Sequence, residues 1–327
     1  MLTETTGGNS LKVAVIGAGN IAEKHLEVLE AFSDVRVSAI CSRGHPRIDA
    51  LAERFEIPEK FSDYRKMLDS VSVDAVFVLV SAMQITTVAA ECLKRGIPTL
   101  LEKPPGLSAQ ETENLAHIAQ ETNCINMVAL NRRFYSVMQR AREEILSVGP
   151  LVSVLVEGPE RLGEVKAVGI HPPEIIAGLL FANSIHCIDL LRYFGGDVEH
   201  ISATSSQWDE EQKNSFDALM KFKTGATGHY IAHWMSPASW AVTLYGMGRR
   251  VSLNPLEKAT LIDSDRSEKV LPVDDVDVKF KPGLYGQNRF FLDAVKQRRA
   301  VTYPGADLAD AVKTMRLIET ISGGGAW

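Results

Sequence analysis

A chain of 327 residues is long enough for about two domains, each with a core of its own, at roughly 150 residues per domain, and that excludes a peptide-sized or disulfide-stapled fold. Hydrophobic residues make up 45% and charged residues 23%, near the average for soluble globular proteins, which argues against wholesale disorder and against a membrane protein. Lys plus Arg (35) against Asp plus Glu (41) leaves a formal charge of -6, and with no long basic run the chain is not expected to bind nucleic acid.

Taken in chain order, residues 1–10 are expected to form a flexible tail: MLTETTGGNS has no basic segment followed by an apolar one, so no signal peptide is expected. From Lys12 the chain alternates strand-like and helix-like runs. LKVAVIG, VRVSAIC, DAVFVLV, IPTLLEK and INMVAL are rich in Val, Ile and Leu on both faces, and between them lie AEKHLEVLEAF, RIDALAERF, TTVAAECLKRG and SAQETENLAHIAQETN. That order predicts an α/β, doubly wound parallel sheet over residues 11–130, with helices on both faces.

Near Asn131 the character changes, and residues 131–327 are expected to form a separate α+β domain. A helix (SVMQRAREEIL) and a strand (LVSVLVEG) lead into a loop through His171-Pro172-Pro173 and a helix around His186. Then come the strand candidates HISATSSQW, FDALMKF, HYIAHWM and WAVTLYGMGRRVSL, the middle two joined by a hairpin turn at Lys223–Thr227. Two helical runs, GQNRFFLDAVKQRR and LADAVKTMRLIETI, close the chain. Nowhere do 18 uncharged apolar residues run together, so no membrane partner is expected. Cys41, Cys92, Cys124 and Cys187 are widely spaced without a CxxC pair, which suits buried thiols in a reducing, cytoplasmic compartment.

The first strand runs directly into Gly17-Ala18-Gly19-Asn20-Ile21-Ala22 and then a helix, the context in which a GxGxx(G/A) loop binds a dinucleotide. Gly17 permits the tight turn and Gly19 lets backbone approach a pyrophosphate. Ala22 is small enough for close helix–strand packing, and Asn20 and Ile21 open a helix whose free N–H groups face the phosphates. After the second strand, where an acid usually holds the ribose 2′-hydroxyl of NAD, the chain reads Cys41-Ser42-Arg43, with Arg47 following. A hydroxyl and guanidinium groups suit a 2′-phosphate, so NADP(H) is expected in preference to NAD(H).

Read with Glu102-Lys103-Pro104-Pro105 after the strand IPTLL, this loop makes the chain resemble the glucose-fructose oxidoreductase and inositol dehydrogenase (Gfo/Idh/MocA) family. Asn131-Arg132-Arg133-Phe134, the His186-Cys187-Ile188-Asp189 helix and Gly195-Gly196 add to the likeness. The resemblance implies an N-terminal Rossmann domain and a C-terminal domain with a large open mixed sheet, often used to form homo-oligomers. It also implies an NAD(P)-dependent oxidoreductase acting on a secondary alcohol or ketone of a sugar, cyclitol or sugar derivative.

By that resemblance Glu102 and Lys103 lie beside the nicotinamide, Lys103 also touches the substrate oxygen, and His186 exchanges the proton. Lys103, Asn131, Arg132, His186 and Asp189 are the expected substrate-binding residues. The pattern departs at Ala182, where family dehydrogenases carry an Asp one helical turn before the histidine; on a continuous helix Ala182, His186, Asp189 and Tyr193 would share a face. The departure keeps open a dinucleotide-binding regulator or sensor of the same fold that has lost catalysis. His229 and His233 lie about 13 Å apart along a strand, too far to share a metal, and no metal site is expected. Trp208, Trp234 and Trp240 are candidates to stack on a sugar ring or to pack in the core.

Overall fold

The computed structural model describes residues 10–44, 46–169, 172–208 and 211–327. The expected N-terminal tail, apart from Ser10, and His171 of the expected loop lie outside the described residues.

The N-terminal half alternates β1 (Leu11–Ile16), α1 (Asn20–Glu30), β2 (Val35–Cys41), α2 (Ile48–Arg54), β3 (Glu59–Phe61), α3 (Tyr64–Ser70), β4 (Ala75–Val78), α4 (Ala82–Lys94), β5 (Thr99–Leu101), α5 (Ala109–Glu121) and β6 (Asn126–Val128). All adjacent strands are parallel, in the order β3-β2-β1-β4-β5-β6. Helices cover both faces, so the β1 segment Val13–Ile16 and all of β4 are buried, which is why these strands are continuous apolar runs rather than alternating ones. Strand order reverses between β1 and β4, and a crevice opens there at the carboxyl ends of the strands. The short β3 escapes sequence reading because its three residues, Glu-Lys-Phe, show no apolar pattern.

A 3₁₀ turn at Asn131–Phe134 leads into α6 (Ser136–Leu146), β7 (Leu151–Glu157) and four helices: α7 (Leu162–Val168), α8 (Pro173–Ala177), α9 (Leu179–Ala182) and α10 (Ile185–Gly195). Seven strands follow: β8 (Val198–Ser206), β9 (Ser215–Phe222), β10 (Thr227–His233), β11 (Ala241–Gly246), β12 (Arg250–Leu253), β13 (Ala259–Ile262) and β14 (Glu268–Val270). With β7 they form an eight-stranded sheet in the order β14-β13-β12-β11-β7-β10-β9-β8, mixed because β7 runs parallel to β10. The expected hairpin joins β9 to β10. The run WAVTLYGMGRRVSL is not one strand but the hairpin β11–β12, turning at Gly248 with φ +77°, a backbone shape that glycine adopts without strain. One face of the sheet lies under α10, and along β9 and β10 buried and exposed residues alternate with the period of two that this covering requires.

The chain ends in α11 (Asp275–Lys279), α12 (Leu284–Lys296) and α13 (Leu308–Gly323). Helices α12 and α13 cross the expected division near Asn131. Leu284, Phe291 and Leu292 of α12 share a core with Val13, Val15 and Phe77 of the first sheet, Phe291 meeting Phe77 edge-on at 5.7 Å. Helix α13 packs on both α5 and α10. The two sheets are thereby held by a common framework around the crevice. No described helix is long and apolar enough to cross a membrane.

Candidate active site

At the β1–α1 turn Gly17 has φ +124°, and a Cβ there would lie 2.1 Å from the Leu79 carbonyl oxygen; the tight approach of β1 to the chain after β4 therefore demands glycine. A Cβ on Gly19 would meet nothing within 4 Å, so this position is open toward a ligand. Helix α1 begins without a side-chain cap, which leaves its first N–H groups, from Asn20 onward, directed at that space. A cavity of about 820 Å³ runs from Gly17 and Gly19 past Ser42 and Arg43 to Tyr64 and Arg65. Length, glycine placement and uncapped helix end fit a dinucleotide. Arg47 turns aside: its guanidinium bonds the Glu23 carboxylate and the Asn20 side-chain carbonyl.

At the carboxyl end of β5, Glu102 is buried, accepts the backbone N–H of Lys103 at 3.0 Å and lies 3.5 Å from Nε2 of the fully buried His25 on α1. Burial alone would raise its carboxyl pKa, but His25, Lys103 and Lys281 together hold it below the ordinary carboxylate range. Burial lowers the Lys103 ammonium to a pKa of about 8; Glu102 and Glu160 oppose the shift, while Arg132 and Lys281 add to it. Lys103 Nζ reaches across to the other half of the molecule and donates to the Ala182 carbonyl at 2.8 Å.

The backbone around Ala182 differs from the expected one. The helix expected to carry Ala182 and His186 on one face is broken: α9 stops at Ala182, Asn183 adopts φ -129°, and α10 starts at Ile185. The break exposes the backbone carbonyl that receives Lys103. It also frees Asn183 and Ser184 to bind a carboxylate from elsewhere, Glu160, just beyond β7. Ser184 Oγ donates to Glu160 Oε1 at 2.6 Å and Asn183 Nδ2 to Oε2 at 2.9 Å. Burial raises the Glu160 pKa against these hydrogen bonds and against Lys103 and Arg132.

His186 is buried and its pKa lies well below the usual histidine value, first through burial and then through Arg132, Lys103 and Lys281. The imidazole is neutral near pH 7, with Nδ1 buried and unpartnered among the described residues. Its ring packs 6.3 Å from that of Trp240, over which the Arg132 guanidinium lies at 4.6 Å. Lys103, Arg132 and His186 of the expected set thus meet in one cluster, joined by Glu160, Trp240 and Lys281.

Others of the set lie elsewhere. The Asp189 carboxylate faces away from the cluster: Arg133 grips it through Nε and Nη2 at 2.7 and 2.6 Å, and Thr314 Oγ1 donates at 3.0 Å. This geometry anchors α10 to the 3₁₀ turn and α13, and no hydrogen bond joins Asp189 to His186 among the described residues. Asn131 is buried, its amide donating to the Pro282 carbonyl at 2.9 Å. Tyr193 stacks on Tyr303 at 5.4 Å. Trp234 packs on Phe216, Trp208 is exposed, His229 lies on the open face of the sheet, and His233 meets Asp217 at 3.2 Å. Among the described residues no group of His, Cys, Asp and Glu is arranged to hold a metal.

Sequence reasoning missed Glu160, Lys281 and His25. Glu160 left one faint signal, a carboxylate just past a strand end; Lys281 left none, since it reaches the cluster only through the return of the chain into α12.

Residues 11–130 match the family model described as "Oxidoreductase family, NAD-binding Rossmann fold" (GFO_IDH_MocA), and residues 160–252 match the "GFO/IDH/MocA C-terminal domain". D-xylose 1-dehydrogenase (NADP(+)) 2 of Haloferax volcanii is 25% identical over 244 residues, covering 74% of this chain and 75% of that protein. Trans-1,2-dihydrobenzene-1,2-diol dehydrogenase of Mus musculus is 23% identical over 283 residues, 84% of each chain. A solved dehydrogenase structure from Chromobacterium violaceum shares the fold with a TM-score of 0.83 at 21% identity, over 97% of this chain and 96% of that one.

Proposed function

The chain belongs to the Gfo/Idh/MocA family of NAD(P)-dependent oxidoreductases, and from that premise we propose that it interconverts a secondary alcohol and a ketone on a sugar, cyclitol or sugar derivative; the name of the H. volcanii relative, a D-xylose dehydrogenase, supports the sugar class. The observation that carries this reading is Lys103, at the carboxyl end of β5, with its ammonium fixed on the Ala182 carbonyl in the same cluster as a neutral His186.

The bound dinucleotide would supply hydride acceptance or donation, held by the Gly17–Gly19 turn, the start of α1 and the loop at Ser42 and Arg43. The protein must handle the other half of the exchange, the hydroxyl proton. A cationic N–H beside the substrate oxygen stabilises developing negative charge there. A pKa of about 8 also lets Lys103 take and return a proton near neutral pH, where acid–base catalysis is most effective. His186, kept neutral, accepts the substrate hydroxyl as a hydrogen bond and so orients it. Glu160 takes the place of the carboxylate missing at 182: from a different element, it supplies negative charge beside Lys103 and fixes the α9–α10 break through Ser184 and Asn183.

Purified protein followed by NADPH and NADH absorbance against sugars, cyclitols and keto-sugars tests this reading. Steady turnover that depends on Lys103 supports it, whereas tight cofactor binding with no turnover across the panel favours a dinucleotide sensor.

For the cofactor, we take Ser42 and Arg43 to read a 2′-phosphate, so NADPH binds more tightly than NADH. Losing a charge-assisted hydrogen bond narrows such a preference by roughly 10- to 150-fold. Because Arg43 is exposed, Arg43→Ala is expected near the bottom of that range through weaker NADPH binding alone. Titration of both cofactors checks it, and an unaltered ratio rejects it.

The open face of the eight-stranded sheet exposes Leu219, Ile231 and Tyr245 around a shallow depression, and we assign it to contact between copies of the chain. Leu219→Lys is then expected to shift the sedimentation coefficient to that of a monomer; a wild type that already sediments as a monomer refutes the assignment.

A further inference from the structure

We propose that the substrate carries a carboxylate and that Arg132 is the residue that holds it. The inference rests on the alcohol–ketone reading above and adds to it a chemical class: a hydroxy acid or sugar acid in place of a neutral polyol.

Adjacent arginines give the contrast that points this way. Arg133 is saturated, with Asp189 and Asp310 both on its guanidinium at 2.6–2.8 Å. Arg132 has no hydrogen-bond acceptor among the described residues, and its Nε is buried and unpartnered. Leaving a buried guanidinium N–H unpaired is costly, so a fold that keeps one beside its reactive cluster leaves a place for an acceptor that arrives with a ligand.

The seat of the side chain defines the shape of that acceptor. The guanidinium lies over the Trp240 ring at 4.6 Å and 5.8 Å from that of Tyr135, and the indole is itself pinned by Nε1 donating to the Pro159 carbonyl at 3.0 Å. These rings offer no hydrogen-bond acceptor, which leaves the fork of guanidinium N–H groups that matches a planar carboxylate.

The neighbouring charges agree. Lys103, Arg132 and Lys281 act together on His186. Of the nearby acids, Glu160 is committed to Ser184 and Asn183, and Glu102 to the Lys103 amide with His25 beside it. Neither acid bonds Arg132, so its guanidinium is left for a substrate carboxylate. His186 packs against the same indole as Arg132, so a small hydroxy acid anchored at Arg132 extends its carbinol toward His186 and Lys103.

The test compares aldonates with alditols of the same configuration, D-gluconate against D-sorbitol and the shorter pairs, by calorimetric titration into protein loaded with oxidised cofactor. At least one aldonate is expected to bind about 10- to 150-fold more tightly than its alditol. Arg132→Met should erase that margin, and Arg132→Lys, which keeps charge without the fork, should retain part of it. Equal affinity within every wild-type pair, no aldonate binding at millimolar concentration, or an unchanged margin in Arg132→Met overturns the proposal. So does Arg132-dependent binding of sugar phosphates alone. The wild-type comparison stands even if a variant fails to fold. Turnover of neutral polyols only, abolished in Lys103→Ala, would refute the carboxylate while sparing the alcohol–ketone reading.

Discussion

Lys103→Ala is expected to lower turnover by about 10²- to 10⁴-fold, the usual contribution of a positioned acid, base or charge partner, with dinucleotide affinity little changed. The Lys103 ammonium donates across the crevice to the Ala182 carbonyl. The pH dependence identifies the group further. Its pKa is lowered from 10.5 to about 8, so the charged form prevails below pH 8. Ketone reduction, which draws its proton from the ammonium, therefore falls as pH rises through about 8 rather than near 10.5, while alcohol oxidation, which needs the neutral amine, rises through the same pH. The negative charge of Glu160 favours the protonated lysine, so Glu160→Gln should move that falling limb to lower pH. Steady-state kcat profiles of wild type and both variants decide the matter. Near-wild-type turnover in Lys103→Ala would remove the lysine from proton exchange, and a limb unmoved in Glu160→Gln would remove Glu160 from tuning it.

Asp189→Ala is expected to act on stability, not on chemistry. Its carboxylate and the Arg133 guanidinium are 2% and 3% exposed, and removing one member of a buried pair costs about 3–5 kcal/mol, because the remaining charge stays desolvated. Asp310 also bonds Arg133 at 2.8 Å, which places the loss toward the lower end. Denaturant midpoints measure it. Below the melting transition kcat per folded molecule should stay near wild type; a large fall in kcat with unchanged stability would return Asp189 to the active site. The same network carries a pH signature. Burial would raise the Asp310 pKa, but Arg133 and Arg192 bring it down from 3.8 to about 2. Its contribution is therefore complete above about pH 4 and is lost as pH falls toward 2.

The residues that differ from expectation share a cause. His186 and Asp189 lie three residues apart on α10, a spacing that suggests one face toward the substrate; in the fold α10 is buried nearly all round, and the two side chains meet different partners, Trp240 for His186 and Arg133 for Asp189. A helical wheel ranks positions by angle, and angle alone does not say which side faces the crevice. Nor did it anticipate the break at Asn183 and Ser184, because neither residue is a strong helix breaker; Lys103 and Glu160, which bind on either side of the break, come from the loops after β5 and β7.

Whatever depends on near neighbours along the chain was legible in the residues themselves: the doubly wound sheet, from apolar runs alternating with helical periodicity; the dinucleotide turn, from glycines at positions where a Cβ would strike Leu79 or fill ligand space; and the place of Lys103 at a strand end. Which remote side chains meet was settled by packing. It brought Glu160 onto Asn183 and Ser184, left Arg132 without an acceptor among the described residues while saturating Arg133, and carried Lys281 into the cluster on the way to α12. The reason is physical: strand and helix patterns repeat every two to four residues and can be read locally, whereas a charge cluster forms from segments separated by tens to hundreds of residues, whose meeting is set by how the two sheets and α12 pack.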